Sequence, residues 1–328
     1  MKKQNLDDPN KLRKVILKSD LSPGDILMLA AAVRDLKRAN PNFLVDVQTS
    51  VPPIWENNPY LTKLDEKDKD VQVLKTEYPL IHASNSRPYH FIHGYPMFLE
   101  EKLGVKIPVT EFKGDIHLSD IEKSWMSQTQ EMGIHQKFWL LFSGGKFDYT
   151  AKWWNPLEMQ KVVDHFKDKV LFVQCGQADH HHPPLKGVVN LIGKTDTRQL
   201  IRLMYHASGV VCPVTFAMHL AAAVETPRKM PVNRACVVLA GGREPHSWEA
   251  YPHHRFLSNN GALPCCEQGG CWKSRTFRLE DDDEKDLSLC EAPEEVDYEI
   301  QPPPKRKKQK LQHKTSQLQQ QVLNRSIL

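Results

Sequence analysis

Between residues 137 and 239 short apolar runs alternate with helix-forming segments, and this alternation constrains the fold more than any other feature. Residues 137–142, 170–174, 188–192, 209–212 and 235–239 read as strands, and 157–167, 195–206 and 215–224 read as helices. Strands separated by helices need crossover connections, so they pair in parallel, and a strict βαβα order is the pattern of a doubly wound sheet. In such a sheet ligands bind outside the carboxyl ends of the strands. That rule singles out the loops after residues 18, 142, 174 and 212.

The first half repeats the theme less regularly. Residues 13–18 read as a strand, 26–39 as a helix stopped by Pro41, and 43–47 as the next strand, which together make a βαβ unit. Asp25 stands where a helix N-cap would. Residues 71–75 read as a strand, 95–103 as a helix and 119–132 as one further helix. The expected architecture is therefore α/β, with two Rossmann-like doubly wound domains, residues 1–135 and 136–279, facing each other across a cleft. At 328 residues the chain is long enough for two such cores. Residues 280–328 read as a disordered tail, acidic at first and then basic and glutamine-rich.

Charge has to be divided before it says anything. The whole chain carries 44 basic and 40 acidic residues, but seven of the basic ones lie in 305–328, which has no acid. The folded part is slightly acidic, so no nucleic-acid partner is expected. No apolar run approaches the ~20 residues that span a bilayer, and the polar start Met1-Lys2-Lys3-Gln4 lacks the apolar centre of a signal peptide. A cytoplasmic location is expected, with peripheral contact at a membrane surface left open.

Three segments carry chemistry. Ser22-Pro23-Gly24-Asp25 opens the first helix: its amides favour anions, and the Asp25 carboxylate suits either a cap or a general base. Ser143-Gly144-Gly145-Lys146 follows a strand, with Lys152, Trp153 and Trp154 beyond. Its glycines allow close backbone approach, its lysines suit a leaving diphosphate, and the tryptophans suit either a flat surface or the core. Thr215-Phe216-Ala217-Met218-His219 opens an alanine-rich helix on which Thr215 and His219 lie one turn apart. This reads either as a pyrophosphate seat or as an ordinary capped helix with a satisfied histidine.

Cys175, Cys212 and Cys236 lie in apolar stretches and read as buried thiols. Cys265, Cys266, Cys271 and Cys290 cluster near the end. Four thiolates there could close a tetrahedral zinc or iron site, stay reduced, or pair. Asp179-His180-His181-His182 reads as cleft-lining or surface, with a metal as the other reading.

Gly24-Asp25 with its helix, Trp55-Glu56-Asn57-Asn58-Pro59-Tyr60, and the segment from Thr215 to Ala223 together resemble glycosyltransferase family nine, the ADP-heptose heptosyltransferases. The resemblance runs over roughly residues 13–275. It looks closest to a bacterial branch with Ala240-Gly241-Gly242-Arg243-Glu244-Pro245 and a cysteine-containing stretch ending at Arg275. It implies the GT-B arrangement of two facing domains and an inverting, metal-independent transfer. The sugar would pass from a nucleoside diphosphate donor, such as ADP-heptose, to a saccharide, lipid-linked or protein hydroxyl. By position it makes Asp25 the catalytic base, assigns Lys146 or Lys152 to the donor phosphates, and places Gly24, Thr215, Met218 and His219 at the donor. The related protein O-heptosyltransferases of autotransporters carry a cysteine-bound iron, which implies structural iron or zinc here and no cofactor for the reaction itself. Where the family has Asp-Thr-Gly, this chain has Val214-Thr215-Phe216. A lapsed enzyme that still binds nucleotide sugars, or a cysteine-based metal or redox protein, are the alternatives.

Overall fold

The computed structural model describes residues 11–77, 88–262, 270–287, 289 and 300. β1 (Arg13–Ser19), α1 (Pro23–Ala39) and β2 (Phe43–Thr49) form the expected crossover unit, and β3 (Val71–Lys75) pairs on the other flank of β1, so the strand order is β2-β1-β3, all parallel. Further along lie α2 (Gly94–Leu103), α3 (Asp120–Ser124) and α4 (Gln128–Glu131).

The second sheet contains β4 (Phe138–Leu141), β5 (Leu171–Gln174), β6 (Val189–Asn190), β7 (Gly209–Pro213), β8 (Ala235–Gly241) and β9 (His254–Ser258). Their order is β6-β5-β4-β7-β8-β9, and every pairing is parallel. The chain winds outward from β4 to β6, then returns to the other side of β4 and winds out to β9. The direction reverses between β4 and β7, which makes that gap the topological switch point. α5 (Pro156–His165), α6 (Thr197–His206), α7 (Phe216–Ala223) and α8 (His246–Glu249) connect the strands.

The helix expected over 119–132 is two helices. Ser119 and Ser127 each accept from the amide three residues on, and Glu122 and Gln130 each reach back to the cap amide, so both form capping boxes. The second box starts a new helix where the first would have continued. Strand β9 and helix α8 are additions to the sequence reading.

α1 is apolar on nearly every face: all residues from Ile26 to Leu36 are buried, because it packs on its own sheet, on α2 and on α7 of the other domain. One continuous apolar core therefore runs through both domains. A polar latch reinforces it. Arg198 on α6 donates to Glu122 Oε2 at 2.8 Å and to the His117 carbonyl at 2.7 Å, and Asn57 donates to the same Glu122 oxygen at 2.8 Å. Burial works against the Glu122 charge, but the Arg198 and Ser119 hydrogen bonds prevail and hold its pKa near 2. The segment from Trp55 to Tyr60 thus belongs to the interdomain latch.

The first residues of the acidic stretch are folded, in contrast to the expected tail beginning at 280. Arg275 is fully buried and pairs with Asp281 (2.8 Å) and Asp286, whose carboxylate also receives the amides of Leu279 and Glu280. A buried guanidinium requires such counter-charge. The segment is fastened to the second domain by the Thr276 amide on Thr150 Oγ1, at 2.9 Å.

Candidate active site

The site is built at the two switch points, where β1, β4 and β7 end. After β1, Ser22 holds the N-cap position of α1 and Asp25 lies within the first turn, so Asp25 is not the cap. The Ser22 side chain makes no capping bond. Instead, Lys146 Nζ, from the loop after β4, donates to Ser22 Oγ at 2.9 Å and joins the two domains across the cleft.

The loop after β4 owes its path to Gly144. A Cβ there would lie 2.0 Å from the His181 carbonyl oxygen. The bare backbone lets Gly145 and His181 exchange amide hydrogen bonds, both 3.0 Å, which tie the β4 and β5 loops together. Gln174, wholly buried, secures the same pair by donating to Ser143 Oγ and the Pro183 carbonyl, both at 2.7 Å, and accepting from the Leu185 amide at 2.9 Å. Trp153 stacks on the His181 ring at 4.0 Å and packs as core, and Trp154 packs against a smaller apolar cluster.

After β7, Thr215 takes the N-cap position of α7 without a side-chain capping bond. It faces Gly145: a Cβ on that glycine would lie 3.9 Å from Thr215 Cγ2. The starts of α1 and α7 meet. A Cβ on Gly24 would lie 4.0 Å from Phe216 Cα and 3.1 Å from His219 Cδ2. Two positive helix ends and Lys146 therefore converge beside Asp25, an arrangement that attracts anions.

The other expected donor residues sit deeper. Met218 is a core side chain with no exposed surface. His219 is 4% exposed, with Nδ1 2.8 Å from the Tyr251 hydroxyl and Nε2 3.3 Å from Glu249 Oε2. Burial, followed by the charges of neighbouring groups, pushes its imidazole well below the usual range. Lys152 is held by Glu244 at 2.6 Å. Glu244 also pairs with Arg243, whose guanidinium stacks over Tyr149 at 4.8 Å and Trp272 at 5.4 Å. Sequence reasoning missed Gln174, Glu244 and Glu249 as parts of the site, since only the fold brings them there. For Gln174 the signal available was its polarity within an otherwise apolar strand.

Of the histidine run, His181 and His182 are buried, which removes the surface reading for both; burial lowers their pKa values to about 4 and about 3. His180 and His182 edge a cavity of about 310 Å³ with Pro184, Asn190 and Lys194, at the ends of β5 and β6. Cys175, Cys212 and Cys236 are buried as expected. Cys265, Cys266 and Cys290 lie outside the described residues, and Cys271 is part-buried. Among the described residues no group of three or more His, Cys, Asp or Glu could hold a metal ion, and no helix is long and apolar enough to cross a membrane.

The model of glycosyltransferase family 9 (heptosyltransferase) matches residues 67–228. That span contains Lys146, Lys152 and Thr215 but not α1 with Asp25. No curated protein matches. Among solved structures, a family 9 glycosyl transferase from Veillonella parvula superposes with a TM-score of 0.58 at 14% identity, covering 77% of this chain and 88% of that one. ADP-heptose lps heptosyltransferase II of E. coli gives 0.50 at 15% identity, covering 74% and 90%. The iron-containing dodecameric glycosyltransferase TibC from enterotoxigenic E. coli gives 0.53 at 18%, covering 76% and 64%. These structures share the two-domain α/β fold, and over residues 67–228, which hold the loops after β4 and β7, the chain matches glycosyltransferase family 9 (heptosyltransferase).

Proposed function

We propose that the protein is a cytoplasmic inverting glycosyltransferase that takes a sugar, with heptose the leading candidate, from a nucleoside diphosphate donor to a hydroxyl acceptor. The observation that carries this reading is the meeting of the α1 and α7 starts at Gly24, with Lys146 spanning the cleft to Ser22. The donor diphosphate would lie against the first turn of α7, with Thr215 and Lys146 on its oxygens and Lys152 behind them. Asp25, on the opposing helix start, would take the proton of the acceptor hydroxyl as its oxygen attacks the anomeric carbon. The sugar–phosphate bond breaks on the far side, and Lys146 and the helix end meet the charge that develops on the diphosphate. In this reading Gly24 and His219 shape the seat of Asp25, Met218 packs beneath Thr215, and no metal is given a step. A structural metal at Cys265, Cys266, Cys271 and Cys290 remains part of the proposal, outside the chemistry.

A second reading, a protein that binds nucleotide sugars without turnover, is favoured by Val214, which is buried and apolar beside Thr215. One experiment separates the two. A panel of nucleotide sugars is offered to wild type and to Asp25→Asn, and both transfer or donor hydrolysis and donor binding are measured. On the enzyme reading Asp25→Asn loses about 10²-fold or more in rate while donor affinity holds. Donor binding by the wild type with no turnover of any donor would instead establish the second reading.

A further inference from the structure

Exposed apolar side chains are not spread evenly over the molecule. Of the fourteen large ones exposed among the described residues, five (Ile121, Trp125, Met126, Met132 and Val232) come from two neighbouring segments. Single exposed apolar residues are ordinary, but a cluster marks a contact surface. The first four lie on α3, on α4 and at their ends, and Arg202 of α6 gathers them. Its Nε donates to the Met126 carbonyl at 2.9 Å, its guanidinium lies over the Trp125 ring at 5.6 Å, and it pairs with Glu131, the neighbour of Met132. Lys123 pairs with Glu225 at 2.7 Å, which brings the loop after α7 alongside. Thr226 Oγ1 donates to the Pro231 carbonyl at 2.8 Å, closing that loop and holding out Val232, which is 88% exposed. Ile121 and Trp125 are 69% and 45% exposed. The acids of this face are engaged: Glu225 by Lys123, Glu131 by Arg202, and Asp120 lies in the field of Lys123. Arg228 and Lys229 are not. They are exposed in the turn from Pro227 to Met230, and neither joins an ion pair among the described residues.

We propose that this face docks the protein on an anionic lipid surface, with Ile121, Trp125, Met126 and Val232 in the headgroup layer and Arg228 and Lys229 on the lipid phosphates. An indole favours that layer, where its ring meets apolar chains and its N–H meets water and headgroups. Cations set beside apolar side chains are what binds there, and each adds its own attraction to a negative leaflet. A second copy of the chain fits the face less well. Two-fold pairing sets a patch against itself, and the acids that would have to meet Arg228 and Lys229 are already engaged within each copy. The face lies at the opposite end of α7 from the cleft: the helix begins there with Phe216 and ends at Ala223, just before Glu225. Docking therefore leaves the cleft open to solution, and the proposal does not depend on which reaction the cleft performs.

The test uses the full chain and vesicles of phosphatidylcholine with or without about 30 mol% phosphatidylglycerol, with bound protein measured by flotation near physiological salt. Wild type should bind the anionic vesicles at least about tenfold more tightly than the neutral ones, and less tightly as salt rises. Ile121→Ser combined with Trp125→Ser should weaken binding about tenfold or more, and Arg228→Ala combined with Lys229→Ala about thirtyfold. All four side chains are exposed, so both variants should melt within about 2 °C of wild type. The loop variant keeps the test decisive should loss of Trp125 disturb Arg202. Anionic vesicles left unbound by wild type would overturn the proposal. So would undiminished binding by either variant, the result expected if the seven basic residues of 305–328 carried the contact instead. A wild-type dimer in sedimentation velocity that the Ile121 and Trp125 changes dissolve would assign the face to a second copy, and would also overturn it.

Discussion

Arg234 offers the sharpest energetic test of how α7 is held. Its side chain is 4% exposed and lies between the C-terminal ends of α6 and α7. It donates to five carbonyl oxygens: Ala207, Ala221 and Glu225 at 3.1 Å, Val224 at 2.9 Å and Tyr205 at 3.3 Å. These are the orphan acceptors that every helix end leaves, and they carry the negative end of the helix dipole. Burial lowers the guanidinium pKa to about 10, and the group stays charged at neutral pH. Arg234→Met keeps most of the stem volume and removes every donor. Recovered desolvation of the cation offsets part of the loss, but four buried carbonyls are then stranded at roughly 1–3 kcal/mol each. The expected net cost is about 3–5 kcal/mol, close to that of breaking a buried pair. For a domain of this size that lowers the unfolding midpoint by about 6–20 °C. Arg234→Lys should recover only part of it, since three donors on a point charge cannot reproduce the fork. The assay is thermal unfolding followed by circular dichroism, with donor binding measured below the midpoint. A loss under about 1 kcal/mol for Arg234→Met would refute the accounting.

Two further outcomes follow from the packing around the site. Gly144→Ala places a Cβ 2.0 Å from a backbone oxygen that cannot swing aside, so the paired Gly145–His181 amide bonds must open. A destabilisation of about 2–5 kcal/mol with loss of donor binding is expected by thermal melts and titration, and a variant that melts and binds like wild type would contradict the packing described. Acid should weaken the fold in two stages. Burial holds His90 and His182 near 3 and His181 near 4, below the ordinary value of 6.5, so their contribution is complete above 6.5 and is lost as pH falls. Glu122, held near 2 against an ordinary 4.5, adds a second loss between those values as the Arg198 latch is protonated. Unfolding midpoints measured from about pH 8 to about pH 4 should fall from near 6.5 downward, and a flat profile would contradict the burial of these imidazoles.

The sequence was legible where local pattern and tertiary demand agree. Buried parallel strands such as Gly209–Pro213 are apolar throughout and announce themselves. β9, with His254, Arg255 and Ser258, does not, because an edge strand need satisfy only one neighbour. The 119–132 segment misled because its apolar spacing suits one helix while its two capping boxes dictate two. Thr215 and Asp25 were placed at helix starts from the residues alone, but neither caps with its side chain as the spacing suggested. The charged groups behind them were not legible at all. Nothing near Glu244 in sequence names Lys152 as its partner, and nothing near Arg275 shows that the acids after it fold back. The first pairing is set by the crossovers between β4 and β8, and the second by a local fold-back that no regular periodicity marks.

The geometry also ranks two lysines that the sequence left equal. Lys152 is committed: its ammonium lies 2.6 Å from Glu244, a carboxylate only 3% exposed, and withdrawing it would take away one of the two cations that balance that buried charge. Lys146 is exposed and bonds a neutral serine hydroxyl across the cleft at 2.9 Å. Exchanging that hydroxyl for a phosphate oxygen replaces a neutral acceptor with a charged one and strands nothing. The same exchange releases Ser22, and with it a polar tie between the α1 start and the loop after β4. Donor binding through Lys146 would thus loosen one interdomain contact beside Asp25 just where an acceptor must enter, while the Arg198 latch and the shared core keep the two sheets in register.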